Sequence, residues 1–146
     1  MEFSDVIKNR YSCKKFSSEQ IGKDKLDAIL EAGRVAPTAK NLQEQHIYVV
    51  QSESALETID KLTPCRYNAP TVLIVAYNKN NVFTYLGDKR NSGIEDATIV
   101  ATHLMLAAYN EGVDSCWINF FNPDELAKAF NLPEDEEILM LLDIGV

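Results

Sequence analysis

The chain has 146 residues, of which 46% are hydrophobic and 25% are charged, and its formal net charge at pH 7 is −8. This composition is that of an ordinary globular domain, and the negative charge argues against a general nucleic-acid-binding surface. The longest apolar run, Ala69 to Tyr77, is too short to cross a bilayer, and the N-terminus lacks the apolar stretch of a secretory signal peptide. We therefore expect a single domain over residues 1–146, in the cytoplasm, with neither a membrane nor a nucleic acid as partner.

The first half of the chain predicts two helices, a strand, a third helix and a second strand. Ser4 can cap a short first helix. Ser17–Gln20 has the capping-box form, a hydroxyl followed three residues later by an amide side chain, and it precedes a helical stripe of apolar positions. After the strand Ile47–Val50 and a helix that begins at Ser54, the continuous apolar run Thr71–Tyr77 indicates a central strand covered on both faces.

The second half predicts two further pairs of helix and strand. The polar segment Asn78–Lys89 leads to the longest helix, from Ile94 to about Glu111, whose small residues allow another helix to approach closely. Ser115–Phe120 is extended, Asn122 caps another helix, and Ile138–Ile144 forms a closing strand. This order of elements predicts a sheet layered with helices, of the α/β or the α+β class.

The basic residues are concentrated near the N-terminus. Eight of the 14 Lys and Arg lie between Lys8 and Lys40, whereas Lys128 is the only basic residue from Asn91 onward. An acidic protein with a basic N-terminal quarter could hold a small anion there. Ordinary solvated helix faces would give the same count, so the charge distribution leaves both interpretations open.

The N-terminal segment, Asn9–Phe16, is the first candidate site. In extended backbone, Arg10, Ser12 and Lys14 point to the same side and place a guanidinium, a hydroxyl and an ammonium in one line. A phosphate is bound well by the planar fork of Arg and by a hydroxyl donor. The alternative from spacing alone is an exposed basic edge.

Two further segments carry polar groups between core elements. The polar loop, Ala36–Gln43, contains Pro, Thr, Asn and Gln side chains that can bond either the backbone or a ligand, so a simple connector is the alternative. In Gly112–Asn119, a tryptophan follows a short polar turn. Such a tryptophan can belong to the core or can wall a flat aromatic ligand.

Several kinds of site find no support in the sequence. Cys13, Cys65 and Cys116 are widely separated, which predicts buried or half-buried thiols rather than a disulfide framework or a metal site. His46 and His103 are isolated, with no carboxylate or cysteine at ligand spacing. Neither a GxGxxG motif nor a P-loop is present, so a Rossmann or nucleoside triphosphate site is disfavoured.

The sequence resembles the nitroreductase-like, FMN-dependent oxidoreductases in four places, which occur in the order of that family. Arg10–Phe16 resembles the R-x-S-x-R/K-x-F element, and Ala36–Gln43 resembles the A-P-S-x-x-N-x-Q-P loop. Asp96–Ile118 is similar to the segment that begins D-x-x-x-A and ends S-C-W-I, and Leu132–Gly145 is similar to the closing L-P…L-L-x-x-G. Each motif is weak alone, but together they span essentially the whole chain.

The resemblance implies a fold, an assembly and a cofactor site. The implied fold is an α+β, three-layer α/β/α sandwich with a mixed or largely antiparallel sheet. Two such chains would form an intertwined homodimer with two FMN sites at the interface, and the polar loop would line the flavin of the partner. The implied cofactor-binding residues are Arg10, Tyr11, Ser12, Lys14, Pro37, Thr38, Ala39, Asn41, Gln43, Cys116, Trp117 and Ile118.

The roles implied by the resemblance differ along this set. Arg10 and Ser12 would hold the phosphate and nearby ribityl oxygens, and Lys14 would lie at the pyrimidine edge, where negative charge develops on reduction. The expected reaction is a ping-pong transfer of hydride from NADH or NADPH, through FMN, to a nitroaromatic, a quinone or a related acceptor. No catalytic residue and no metal ligand is assigned. The alternatives are a flavin-binding or storage module with little turnover and an interaction domain without cofactor.

Four departures from the family pattern are visible. Glu44 stands where the family commonly has Pro, His103 replaces a common Asn or Gln, and Asn119 replaces a Gly. The sequence ends at Val146, before the C-terminal tail with which family members usually embrace their partner. Either the tail lies beyond this sequence, or the protein is a short member of the family with a weaker phosphate site, in which Arg10 would supply more of the positive charge.

Overall fold

The computed structural model describes residues 1–87 and 89–146. Asp88, which belongs to the predicted polar segment Asn78–Lys89, lies outside the described residues. The described chain forms helices and strands in the order predicted from the sequence. They are α1 (Phe3–Asn9), α2 (Lys23–Arg34), β1 (Gln45–Val50), α3 (Glu53–Leu62), β2 (Thr71–Asn78), α4 (Gly93–Asn110), β3 (Asp114–Ile118), α5 (Pro123–Ala129) and β4 (Glu136–Gly145).

The four strands form one antiparallel sheet in the order β1-β2-β4-β3. Helices α2 and α4 pack on one face, and α3 and α5 pack on the other. The expected α+β, three-layer sandwich with an antiparallel sheet is confirmed. Within the described residues, no helix combines the length and the hydropathy needed to cross a lipid bilayer.

The central strand β2 shows why this layering forms. Leu73, Val75 and Tyr77 point into the core beneath α2 and α4, whereas Val72 and Ile74 point into the core beneath α3 and α5. All five side chains are buried, with at most 4% of their surface exposed. Burying each aliphatic side chain of this size contributes about 1.5–3 kcal/mol, so a strand that is apolar on both faces needs helices on both sides.

Two predicted helix starts are wrong, and one is confirmed. Helix α1 begins at Phe3, before Ser4, and the side chain of its N-cap Glu2 makes no capping bond. Helix α2 begins at Lys23 after Gly22, so Ser17–Gln20 is not its capping box. The Gln20 amide instead donates to the Pro70 carbonyl (2.8 Å), a contact that ties the chain to β2. Asn122 caps α5 as predicted, because its side chain accepts from the backbone N–H groups of the first turn.

Close packing at the end of β4 fixes the N-terminal segment against the sheet. A Cβ atom placed on Gly145 would lie 2.9 Å from Phe16 Cδ1 and 2.9 Å from Pro70 Cδ. Phe16 is 5% exposed, and its backbone N–H donates to the Tyr67 carbonyl (3.1 Å). A side chain larger than hydrogen therefore cannot fit at residue 145 unless these rings move.

We expect Gly145→Ala to lower the melting temperature by about 5 °C. The added methyl group would press against the rings of Phe16 and Pro70, and accommodating it costs roughly 2 kcal/mol of stability in a domain of this size. Thermal unfolding followed by circular dichroism measures this change. Gly22→Ala is the control, since a Cβ there meets nothing within 4 Å. Equal melting temperatures for the Gly145→Ala variant and the parent would contradict the packing argument.

Asp143 is a buried acid in the middle of β4, opposite Val72 of β2 and Cys116 of β3. It is 1% exposed, and neither carboxyl oxygen has a hydrogen-bond partner among the described residues. Burial raises the pKa of Asp143 to about 8, although nearby Arg66 acts in the opposite direction. The carboxyl is therefore neutral in the folded protein at neutral pH.

This raised pKa has a consequence for stability. The folded protein holds a proton on Asp143 that the unfolded chain releases near pH 4, so stability falls as pH rises toward 8. We expect Asp143→Asn, which cannot ionise, to unfold at higher temperature than the parent, by a margin that widens from about pH 5 to about pH 8 and is then constant. Differential scanning calorimetry across this range measures the margin, and a margin independent of pH would contradict the assignment.

Candidate functional site

The N-terminal segment lies alongside β3 at the edge of the sheet. Ser12 forms a parallel bridge with Ser115, and the Cys13 N–H donates to the Ser115 carbonyl (2.8 Å). The backbone of Arg10 is extended (φ −61°, ψ 147°). Two of the predicted site segments, the N-terminal segment and Ser115–Ile118, are thus brought together within one chain.

The side chains of the N-terminal segment differ in their exposure to solvent. Cys13 is buried against the core, whereas Ser12 and Lys14 are exposed and Arg10 is half-buried. Arg10 Nε is buried and has no hydrogen-bond partner among the described residues. A guanidinium N–H, a hydroxyl and an ammonium are groups from which phosphate oxygens can accept hydrogen bonds.

Tyr11 is oriented by β3. Its hydroxyl donates to Asp114 Oδ2 (3.2 Å), and the negative charge of Asp114 raises the pKa of Tyr11. The tyrosine is 54% exposed, so its ring remains accessible at the edge of the sheet. Its position beside Arg10 and Ser12 places it with the other predicted residues of the N-terminal segment.

The three predicted residues of β3 point to opposite faces of the sheet. Cys116 and Ile118 are each 4% exposed and belong to the core beneath α3 and α5. Trp117 packs against the other core, and its indole N–H donates to Asn119 Oδ1 (2.9 Å). Burial, together with nearby Asp143, raises the pKa of the Cys116 thiol, which makes a nucleophilic role unfavourable. Any ligand along β3 would therefore meet its backbone and Trp117 rather than the thiol.

The polar loop has an unusual backbone held by local bonds. Lys40, Asn41 and Gln43 have positive φ angles (55°, 54° and 50°), a region that side chains other than glycine rarely adopt. Thr38 Oγ1 accepts from the Gln43 N–H (3.0 Å), and the Ala39 N–H donates to Asp96 Oδ1 (2.9 Å). Pro37 and the side chains of Asn41 and Gln43 are exposed. These bonds hold the loop in a defined shape that presents its polar groups outward.

The polar loop and the N-terminal segment are not brought together within one chain. The loop is attached to α4 at Asp96, in its first turn, whereas the N-terminal segment is attached to Ser115, just beyond the end of α4. A helix of 18 residues is about 27 Å long. Within one chain, the predicted cofactor-binding residues therefore lie in two separate places.

Two buried acids beneath the polar loop were not predicted as site residues. Glu44, at the end of the loop, is 4% exposed, and Asp96 is 3% exposed. Burial, followed by contact with the Asp96 carboxyl, raises the pKa of Glu44 to about 7. The sequence offered two signs of this pair: Glu44 stands where the family commonly has Pro, and Asp96 lies on the same face of the helix as the apolar residues Val100 and Leu104.

The sequence suggested that His46 is isolated, but in the structure it has a carboxylate partner. Its Nδ1 atom contacts Glu136 Oε2, and Tyr48 donates its hydroxyl to the other oxygen of Glu136. Burial and contact with Glu136 raise the pKa of Tyr48 to about 12. Both oxygens of Glu136 are thus engaged, so this cluster joins β1 to β4. The cysteines are as predicted: Cys13 and Cys116 are buried, Cys65 is half-buried, and none forms a disulfide.

Comparisons with known proteins identify the family of the chain. The chain matches the Nitroreductase family over residues 7–66 and 63–146. A relative from Bacillus subtilis strain 168, YodC, carries the name of an NAD(P)H nitroreductase; it is 28% identical, over 97% of this chain and 87% of its own length.

Solved structures are also similar. A nitroreductase family protein from Clostridium difficile 630 is 34% identical and superposes with a TM-score of 0.95, over 99% of this chain and 84% of its own. A protein from Exiguobacterium sibiricum 255-15, described as a nitroreductase in complex with FMN, has a TM-score of 0.88 at 22% identity, over 99% of this chain and 88% of its own, and shows the shared fold. The match to the family extends from α1 to the end of β4. The chain belongs to the Nitroreductase family.

Proposed function

We propose that the protein is an FMN-dependent oxidoreductase that transfers hydride from NADH or NADPH to a nitroaromatic, a quinone or a related acceptor in a ping-pong reaction. Family membership supports the oxidoreductase class, and the name of the Bacillus relative supports the nicotinamide donor. The FMN complex of a protein with the same fold supports the cofactor. The observation that carries the proposal in this chain is the buried Arg10 Nε atom, which has no hydrogen-bond partner among the described residues and belongs to the same segment as the exposed Ser12 and Lys14.

The residues of the N-terminal segment fit the polar end of FMN. Arg10 and Ser12 would donate hydrogen bonds to the phosphate and to nearby ribityl oxygens, and charge-assisted bonds of this kind are about twice as strong as neutral ones. When bound, FMN supplies the hydride-accepting and hydride-donating chemistry that the protein side chains lack. The chain itself binds and orients the reactants.

Lys14 would act through its charge. Its ammonium lies close enough to Cys116 to oppose the rise in the pKa of that thiol, so its positive charge is felt at the edge of β3. A fixed cation near the flavin pyrimidine would stabilise the negative charge that develops there on reduction. It would thereby favour the reduced cofactor without exchanging a proton.

The polar loop would complete the site of a second copy. Because α4 separates the loop from the N-terminal segment, a site that uses both segments needs two chains. Helices α1 and α4 enclose an apolar groove of about 380 Å³, and Phe3 at its mouth is 67% exposed. Exposed apolar surface of this kind commonly marks a protein interface, which supports a homodimer.

Anaerobic reduction of the purified protein tests this function. We expect it to bind FMN, to be yellow, and to lose its visible flavin absorbance on addition of NADH or NADPH, with recovery on addition of a quinone. Light scattering on the same sample should give the mass of two chains. FMN without protein, mixed with the same nicotinamide, is the control for uncatalysed reduction. Bound flavin that stays oxidised would indicate a storage module, and a colourless protein that does not bind added FMN would exclude the proposal.

A variant at Arg10 tests the phosphate site. We expect Arg10→Ala to weaken FMN binding by about 10- to 100-fold, because a charge-assisted bond to a phosphate contributes roughly 1.5–3 kcal/mol. Quenching of FMN fluorescence measures the dissociation constant. Lys23→Ala is the matched control, since it removes the same charge from an exposed pair with Asp27. Equal affinity in both variants would mean that the phosphate is held elsewhere.

A further inference from the structure

Glu44 and Asp96 form a buried pair of carboxyl groups between the polar loop and α4. Glu44 directly follows the loop, and its backbone carbonyl accepts from the Asn78 N–H of β2 (2.9 Å). Asp96 lies in the first turn of α4, where its Oδ1 atom accepts from the Ala39 N–H (2.9 Å). Both side chains are buried, and the Asp96 carboxyl raises the pKa of Glu44, so the two groups lie close to each other. Through Asp96 of α4, the pair therefore links Glu44, which follows the loop, to Ala39 in the middle of the loop.

The hydrogen bonds around the pair determine where a proton must lie. Glu44 Oε1, Glu44 Oε2 and Asp96 Oδ2 are buried, and no described residue donates to them. Two carboxylates in contact within a dry site cannot both ionise without a large penalty. The N-terminal end of α4 favours a negative charge on Asp96, so Glu44 is the group that carries the proton and donates it toward Asp96.

We propose that Glu44 and Asp96 share a single proton, and that this proton latches the polar loop in the conformation that meets the flavin and releases the loop when it is lost. Both acids are positioning residues that act through the Ala39 N–H and the backbone of the loop. The inference rests on the proposed function for its flavin, but the shared proton itself requires no cofactor.

The shape of the loop makes it sensitive to this pair. Three of its residues hold positive φ angles, and such conformations persist only where surrounding contacts impose them. The Ala39–Asp96 bond is one of these contacts, and Glu44 is the residue at which the loop joins β1. Repulsion between two ionised carboxylates would push this junction away from α4. The loop would then lose the contacts that keep Thr38 and Asn41 in place.

The two tyrosines near the pair are engaged elsewhere. The Tyr77 hydroxyl donates to Glu137 Oε2 (2.9 Å), and burial raises the pKa of Tyr77, so this group stays neutral. Tyr85 donates to Glu95 Oε1 (2.6 Å), and the Arg90 guanidinium lies over the Tyr85 ring at 4.2 Å. The charged and titratable groups nearby, taken from the loop, β2, the segment after β2, α4 and β4, are Lys40, Tyr77, Tyr85, Arg90, Glu95 and Glu137.

The direction of the pH effect follows from the buried acid. Burial and Asp96 raise the pKa of Glu44 to about 7 in the folded protein, whereas the unfolded chain releases this proton near pH 4.5. The stabilising proton is therefore fully present below pH 4.5, and its contribution is lost as pH rises through about 7. The latch is closed in mild acid and open in mild base.

FMN affinity measured at two pH values tests the latch. We compare the parent with Glu44→Gln, whose amide donates to Asp96 at every pH, and with Glu95→Gln, which removes the same charge from the adjacent helix position. From about pH 5.5 to about pH 8.5, the FMN dissociation constant of the parent should rise about tenfold relative to that of Glu44→Gln. Glu95→Gln should behave as the parent does, and the ionisation of the FMN phosphate affects all three proteins alike.

A measurement without FMN separates this inference from the proposed function. In the apoprotein, the melting temperature of the parent should fall relative to that of Glu44→Gln as pH rises from about 5 to about 8. Asp96→Asn, which can donate to Glu44 and still accept from Ala39, should weaken the same dependence without abolishing it, because Glu44 stays buried, and it serves if Glu44→Gln folds poorly. A difference between parent and variants that is the same at every pH would overturn the shared proton. If this dependence is present but FMN does not bind, the proposed function fails while the proton pair stands.

Discussion

The packing of α4 across the buried strands of the sheet is the constraint on which the rest of the molecule depends. Residues Ala97, Val100, Ala101, Leu104 and Ala108 of this helix are buried, and small side chains among them let it lie close to the sheet and to α2. Gly33 of α2 extends this approach, because a Cβ there would lie 2.7 Å from Leu104 Cδ2. The helix thus acts as a rigid spacer. The polar loop is fixed near its beginning, and the N-terminal segment is fixed just beyond its end.

A second theme is how an acidic protein can present a local site for an anion. The chain carries a net charge of −8, yet Arg10 and Lys14 emerge along one edge of the sheet beside β3. The acids close to the core differ from the exposed ones, because burial raises their pKa values. Asp143 has a raised pKa because it is buried, and Glu44 has one because it is buried beside Asp96. Neutralising these acids removes negative charge from the interior without altering the exposed surface.

The sequence predicted the architecture more completely than it predicted local detail. The element order, the doubly covered strand predicted at Thr71–Tyr77 and the cap of α5 at Asn122 follow from hydrophobic period and short-range chemistry. The structure has all three, with the strand one residue longer. The helix starts predicted at Ser4 and Ser17 were wrong. In the second case a long-range bond between Gln20 and Pro70 holds that stretch outside the helix. Capping preferences describe a residue and its near neighbours, so a partner 50 positions away lies beyond their reach.

The candidate site was likewise predicted from the sequence only in part. The family motifs drew attention to the N-terminal segment, the polar loop and β3, and the structure shows how Ser12 and Ser115 join two of these. The contact between Glu44 and Asp96 could not be read from spacing, because it depends on how β1 and α4 pack. In the same way, His46 has no carboxylate at ligand spacing in the sequence, and the sheet places Glu136 beside it. Charge pairs that cross between elements are properties of the fold rather than of any one segment.

Trp117 gives the protein an optical property that can be used without labelling. It is the only tryptophan in the chain, it is half-buried at the edge strand β3, and its indole N–H is bonded to Asn119 Oδ1. Fluorescence excited at the long-wavelength edge of the protein's ultraviolet absorption, where tyrosine does not absorb, therefore comes from Trp117 alone. A spectral shift or a change in emission lifetime reports solvation and quenching at that strand alone, so the native chain already contains a single-site fluorophore.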